Sequence, residues 1–152
     1  MKSIRAARNS SRYGLRAVIT GLAAIGLTAV IASPASATPA EGVTGTVLGQ
    51  ISIGGTDYIL REITIAPGGS TGWHYHDGPV YGTVRSGVLS HYHSDCTPDG
   101  VYHAGESLAE APSASYIHIG RNLGSEPLVL DVLYVLPSHS PLSEDVPAPT
   151  CA

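Results

Sequence analysis

From residue 43 onward, Val, Ile, Leu, Thr and Tyr gather in short runs broken by Gly, Pro, Asp and Asn. Runs at 43–53, 56–66, 80–85, 87–93, 107–111, 115–121 and 127–136 read as β-strands. Gly54-Gly55, Pro67-Gly68-Gly69, Pro98-Asp99-Gly100 and Asn122-Leu123-Gly124 read as the turns between them. Turns recur at spacings of roughly 8–12 residues, as in sandwiches and barrels. No window holds a helical period over ten positions, and Pro recurs too often for a long helix. The pattern therefore predicts one all-β domain. The segment PLVLDVLYVL at 127–136 is almost continuously apolar, which predicts a strand that is buried on both faces or lies centrally, with Asp131 in need of a partner.

The N-terminal 37 residues follow a different pattern. Residues 1–16 carry Lys2, Arg5, Arg8, Arg12 and Arg16 and no acid, and residues 17–32 are apolar apart from Thr20 and Thr28. Ala35-Ser36-Ala37 then offers small residues where a signal peptidase reads. A cleaved secretory signal at 1–37 is expected, leaving a domain at 38–152 whose tail is Pro-rich from about residue 137. An uncleaved anchor is the alternative, but the apolar run is shorter than the ~20 residues of a membrane helix. Export changes the charge balance. Only Arg61, Arg85 and Arg121 remain against twelve acids, a formal charge of −9. Such a chain is repelled by phosphate backbones and anionic lipid, so nucleic-acid and peripheral-membrane functions are set aside. Cys96 and Cys151 would meet an oxidising compartment and are expected to bond, tying the tail to the body. Two free thiols or a Cys96–Cys96 dimer are the alternatives.

Chemistry concentrates in Gly68–Gly87, GGSTGWHYHDGPVYGTVRSG. His74 and His76 stand two apart, so a strand projects both imidazoles from one face. His118, in a later strand run, can join them if the sheet closes into a barrel. These residues resemble the two motifs of the cupin superfamily. The first motif is matched by Gly68, five residues, His74-Tyr75-His76 and the closing Gly87; the second is matched by Gly105, Pro112, His118 and Asn122. The second is looser: the gaps before and after Pro112 are each one residue longer, and Ala114 replaces a Gly. The resemblance spans about Val43–Pro137 and implies a double-stranded β-helix, or jelly-roll, barrel.

One departure from the motif affects the site. The family's Glu ligand would fall at Val80 or Tyr81, and Glu106 and Glu110 lack the spacing to replace it. The resemblance thus implies a divalent metal held by His74, His76 and His118 alone. Three imidazoles favour Zn²⁺ over Fe, Mn, Ni or Cu, whereas an added carboxylate would suit Fe(II) or Mn. A barrel that has lost its metal is the alternative. Tyr81 is a candidate fourth ligand. Glu110 is a candidate acceptor for an imidazole N–H, and Tyr81, Glu110 and Tyr116 are candidate catalytic groups. His91, His93 and His103 are read as an outward polar face in preference to a second metal cluster, and His139 as solvated. Of Arg61 and Glu62 one could face the cavity, although a surface position is preferred for both. The expected function is an exported metal-binding cupin with a small molecule in its mouth. It would be an oxygenase, isomerase or hydrolase, or else a non-catalytic binding module. Pairing of two copies through sheet edges is a further expectation.

Overall fold

The computed structural model describes residues 36–152, so the expected signal, apart from Ser36 and Ala37, lies outside the described residues. The described chain is built from strands and contains no helix, hence none long and apolar enough to cross a membrane. The strands are β1 (Glu41–Ile53), β2 (Thr56–Ser70), β3 (His74–Tyr75), β4 (Val80–Ser86) and β5 (Val88–His93). After them come β6 (Pro98–His103), β7 (Ser107–Glu110), β8 (His118–Arg121), β9 (Leu128–Pro137) and β10 (Glu144–Asp145). Every pairing is antiparallel. One face of the barrel runs β1-β2-β9-β4-β7 and the other β10-β3-β8-β5-β6, joined where Ser70 of β2 pairs with Arg121 of β8.

Alternation along the strands fills the space between the two faces. On β2, Ile59, Ile63 and Ile65 point inward, and on β9 Leu128, Leu130, Val132, Tyr134 and Leu136 do. Val80, Val84, Leu89 and Leu108 complete the core. Burying an aliphatic chain of this size contributes about 1.5–3 kcal/mol. Of the two expectations for 127–136, the central position holds, between β2 and β4, and burial on both faces does not. Its outward residues are only half-buried, because the neighbouring Ile51, Tyr58, Leu60 and Tyr81 leave the outer face 39–56% exposed. Asp131 finds its partner in Arg85, with Nε 3.6 Å away. Two expected turns belong to strands: Pro67–Gly69 continues β2, and Pro98–Gly100 opens β6. The antiparallel ladder absorbs their turn residues at irregular or edge positions.

Two motif residues are explained by the fold alone. Gly87 is the only residue between β4 and β5 and has φ 81°, where a Cβ would meet the backbone of Leu128. Asn122 is buried: its amide donates to the carbonyls of Ile65 and Glu126, and its Oδ1 accepts from the N–H of Gly124. It fastens the end of β8 to β2.

The tail closes one side of the barrel. The N–H of Val146 donates to the carbonyl of Trp73, and β10 pairs with β3 through Glu144↔Tyr75 and Asp145↔His74. Thr38 is held there too, donating to the Val146 carbonyl and accepting from the N–H of Trp73. Beyond it, Cys151 forms a disulfide with Cys96, as expected.

Candidate metal centre

Three elements bring the imidazoles together. His74 opens β3, His76 lies just past its end, and His118 opens β8, where it pairs directly with His74. All three are buried, and their nearest ligand nitrogens lie within 4.8 Å of one another. Each ring is oriented from behind by a backbone carbonyl. Nδ1 of His74 donates to Gly72 O at 2.9 Å, His76 to Leu142 O at 2.7 Å, and His118 to Tyr116 O at 2.9 Å. A carbonyl only accepts, so each ring presents an Nδ1–H to the backbone and turns its Nε2 toward the others.

The fourth donor is Glu110, at the end of β7. Its Oε2 lies 3.0 Å from Nε2 of His76 and 3.5 Å from Nε2 of His118. The expected three-His group is present, and Glu110, expected only as an acceptor for an imidazole N–H, adds a carboxylate beside it. In the register between β4 and β7, Glu110 stands directly opposite Val80, the position where the motif's Glu is missing. The carboxylate enters the same space from the neighbouring strand. Linear spacing cannot reveal this, but alternation carried the signal: Leu108 is buried, and Glu110, two residues on, shares its face. Tyr81, by contrast, points outward and is 50% exposed, so it is no ligand.

Lone pairs facing one another repel unless a proton or a cation lies between them. Protons are a poor solution here. Burial, and then the neighbouring His118 and His76, draw the pKa of His74 down to about 3. Nε2 of His118 is buried with no hydrogen-bond partner. Burial alone would raise the carboxyl of Glu110, yet its close contacts with His118, His76 and His91 outweigh the desolvation and hold it well below the usual range. The grouped imidazoles of His74, His76 and His118, with a carboxylate oxygen beside two of them, form a donor set that fits a divalent metal ion.

His91 corrects another expectation. It does not face outward; it is 1% exposed and stands behind Glu110, its Nε2 3.3 Å from Oε1. Its Nδ1 contacts Oδ2 of Asp99 at 2.8 Å, and Oδ1 of Asp99 contacts Nε2 of His93 at 2.9 Å. Burial pulls the pKa of His91 down, but the hydrogen bonds and charges of Glu110 and Asp99 prevail and raise it. Glu110, His91 and His118 also group as ligand atoms close enough to share an ion, so the two clusters have two residues in common if Glu110 is counted in both. His103 and His139 are exposed and stand apart. Tyr116 packs against His118 and His93, with ring centroids 5.1 and 5.5 Å away, and burial pushes its hydroxyl up to about 12.

Two spaces that share lining residues flank the centre. The inner one, about 50 Å³, is lined by His74, His76, His91 and Glu110 together with apolar residues such as Val80 and Leu130. The outer one, about 130 Å³, shares His74, His76 and Tyr134 and adds Arg61 and Ser143. Tyr134 was not singled out by the sequence, and Arg61 takes the cavity position in place of the preferred surface one. Alternation along β2, with Ile59 and Ile63 inward, turns Arg61 in and Glu62 out, where Glu62 meets Arg85.

No family model and no curated protein matches the sequence. Solved structures do. The polyketide cyclase RemF from Streptomyces resistomycificus is similar with a TM-score of 0.57 and 20% identity, over 74% of this chain and 80% of that one. An uncharacterised double-stranded β-helix protein from Klebsiella pneumoniae has a TM-score of 0.56 and 20% identity, over 68% and 84%. A cupin domain from Bordetella pertussis has a TM-score of 0.51 and 20% identity, over 62% and 93%. With two opposed antiparallel faces, an inward histidine cluster and these neighbours, the chain has the double-stranded β-helix fold of the cupin superfamily.

Proposed function

We propose that this protein is an exported metal-binding cupin in which His74, His76, His118 and Glu110 hold a divalent ion facing a small-molecule site. The observation that carries the reading is the buried grouping of three imidazoles, each fixed by an Nδ1–carbonyl bond, with the Glu110 carboxylate against two of them. The carboxylate also changes the expected ion. Three imidazoles alone favour Zn²⁺, whereas three imidazoles with a hard oxygen suit Fe(II) or Mn(II), and six-coordinate ions of that kind keep positions open for a ligand. Such an ion would supply a Lewis acid able to polarise a carbonyl or activate water.

The chain's own residues supply the rest. His91, held between Glu110 and Asp99, fixes the carboxylate's orientation. Tyr134, whose hydroxyl burial pushes up to about 12, stays protonated at the mouth and can donate to a bound group. The spaces of about 50 and 130 Å³ are far below the ~300–1,000 Å³ of drug-sized pockets, so the ligand is small. RemF's polyketide substrates are not carried over, because 20% identity supports a shared fold alone. Export is supported by the disulfide and by the basic-then-apolar N-terminus.

The test is elemental analysis of protein purified without added metal, alongside His74→Ala. About one Mn or Fe per chain in the wild type, and a large loss in the variant, is expected. No stoichiometric metal in the wild type, together with no uptake on titration with Mn²⁺, Fe²⁺ or Zn²⁺, would sink the reading.

A further inference from the structure

The mature domain has only three guanidinium groups, and one of them sits at the mouth of the histidine centre. Arg61 lines the outer space with Thr71, His74, His76, Tyr134 and Ser143. No acidic side chain lines that space, although the chain carries twelve acids. Among the described residues Arg61 has no ion pair; Arg85 takes Glu62 and Asp131 instead. Its Nε is buried and has no hydrogen-bond partner. A buried donor on a charged group left without an acceptor is costly, so an acceptor at this position is strongly favoured.

The position of Arg61 is also built. Gly45 of β1 lies beneath the guanidinium, and a Cβ there would overlap Nη2 and Cζ. Gly45 is not in the left-handed region, so its backbone does not require glycine; the room for Arg61 does. Tyr134, on the inner face of β9, lines the same space as Arg61. The fork of donors is thus held at the entrance with its counter-charge missing.

We propose that the outer space binds the carboxylate of a small organic acid, with Arg61 as the anchoring group and Tyr134 beside it. A planar guanidinium matches a carboxylate with two parallel hydrogen bonds, and a neutral ligand would leave those donors unmet. The anchored acid would present its remaining atoms to His74 and His76, on the floor of the same space. This names the ligand class of the site proposed above and rests on that reading for its link to an ion, but not for the anchor itself.

The experiment uses the full mature chain, both stripped of metal and loaded with Mn²⁺. Propionate and benzoate are titrated against their neutral isosteres propionamide and benzamide, followed by calorimetry and ligand-observed NMR. In both metal states the acids should bind at least tenfold more tightly than the amides. Arg61→Gln should abolish that preference in the stripped protein, and Arg61→Lys should keep part of it. Gly45→Ala, which displaces only the flexible end of Arg61, should lose the preference while keeping the wild-type melting temperature to within a few degrees. Arg121→Gln, on the other side of the barrel, should change nothing. Equal affinity for acid and amide overturns the proposal, as does a preference that survives Arg61→Gln or the absence of acid binding at millimolar concentrations. Metal content, measured on the same samples, reports separately on the ion. A wild type that takes up no metal yet prefers acids keeps the anchor and removes only the metal reading.

Discussion

Replacing Glu110 with Gln removes one charge while preserving shape. In the folded protein the carboxylate lies 3.0, 3.3 and 3.5 Å from ring nitrogens of His76, His91 and His118. Groups that merely orient a metal's ligands typically cost 10–100-fold in affinity when lost, and a donor in direct contact belongs at or above the upper end. The expected weakening is therefore about 100-fold or more, which is ~2.7 kcal/mol. It should also be selective. Mn²⁺ depends on the hard oxygen, while Zn²⁺ is well served by three imidazoles, so the Mn²⁺ constant should fall further than the Zn²⁺ constant. Competition against a chelating dye gives both constants, and far-ultraviolet circular dichroism checks that the barrel is intact. A folded Glu110→Gln protein that binds Mn²⁺ within threefold of wild type would refute the assignment of Glu110 as a donor. An equal loss for both ions would refute the argument about hardness.

Because Val80 and Glu110 are register partners on β4 and β7, the carboxylate should be exchangeable between them. Val80→Glu combined with Glu110→Val is expected to recover most of the Mn²⁺ affinity that Glu110→Val alone loses, and a double variant no better than the single one contradicts the shared-space reading. The disulfide should matter twice over. The chain-entropy relation assigns its closure about 4 kcal/mol, an upper-end figure, and the tail it secures supplies the Leu142 carbonyl that orients His76. Cys96→Ser with Cys151→Ser should therefore lower both the melting temperature and the metal affinity; an affinity unchanged in the folded variant would uncouple the two. In the metal-free protein, His74 titrates near pH 3 when folded but near 6.5 when unfolded. Between those values the unfolded chain takes up a proton that the folded one refuses. Stability is then lost as pH falls from 6.5 toward 3, by up to about 1.4 kcal/mol per pH unit. Glu110, held well below its ordinary value, adds to this loss from about pH 4.5 downward. His91, whose pKa is raised, acts in the opposite sense near neutrality. Urea midpoints across this range should show a flatter profile for His74→Gln, and an identical slope would count against the buried, uncharged His74.

The strands and the histidine centre were legible in the sequence for local reasons. Alternation marks the faces of β2 and β9, Gly87 must take the one-residue link between β4 and β5, and the i, i+2 spacing of His74 and His76 commits both rings to one side. His118 and Asn122 were legible by motif spacing, and the cysteine pair by count and compartment. Register across the sheet is different, because it joins residues far apart in the chain. Only the pairing of β7 with β4 sets Glu110 opposite Val80, and only the packing of β5 against β8 and β6 brings His91 against Glu110 and Asp99. Arg61 lay within reach of a sequence argument, since Ile59 and Ile63 face the core on either side of it. What the sequence left open was whether that interior could admit a charge. Gly45 on the neighbouring strand answers this by leaving room for the guanidinium, and that contact exists only once β1 lies against β2. Strand identity and the facing of each side chain are written in neighbours one or two residues away. The charge balance of the site depends on neighbours brought from other strands, and the tertiary structure alone decides it.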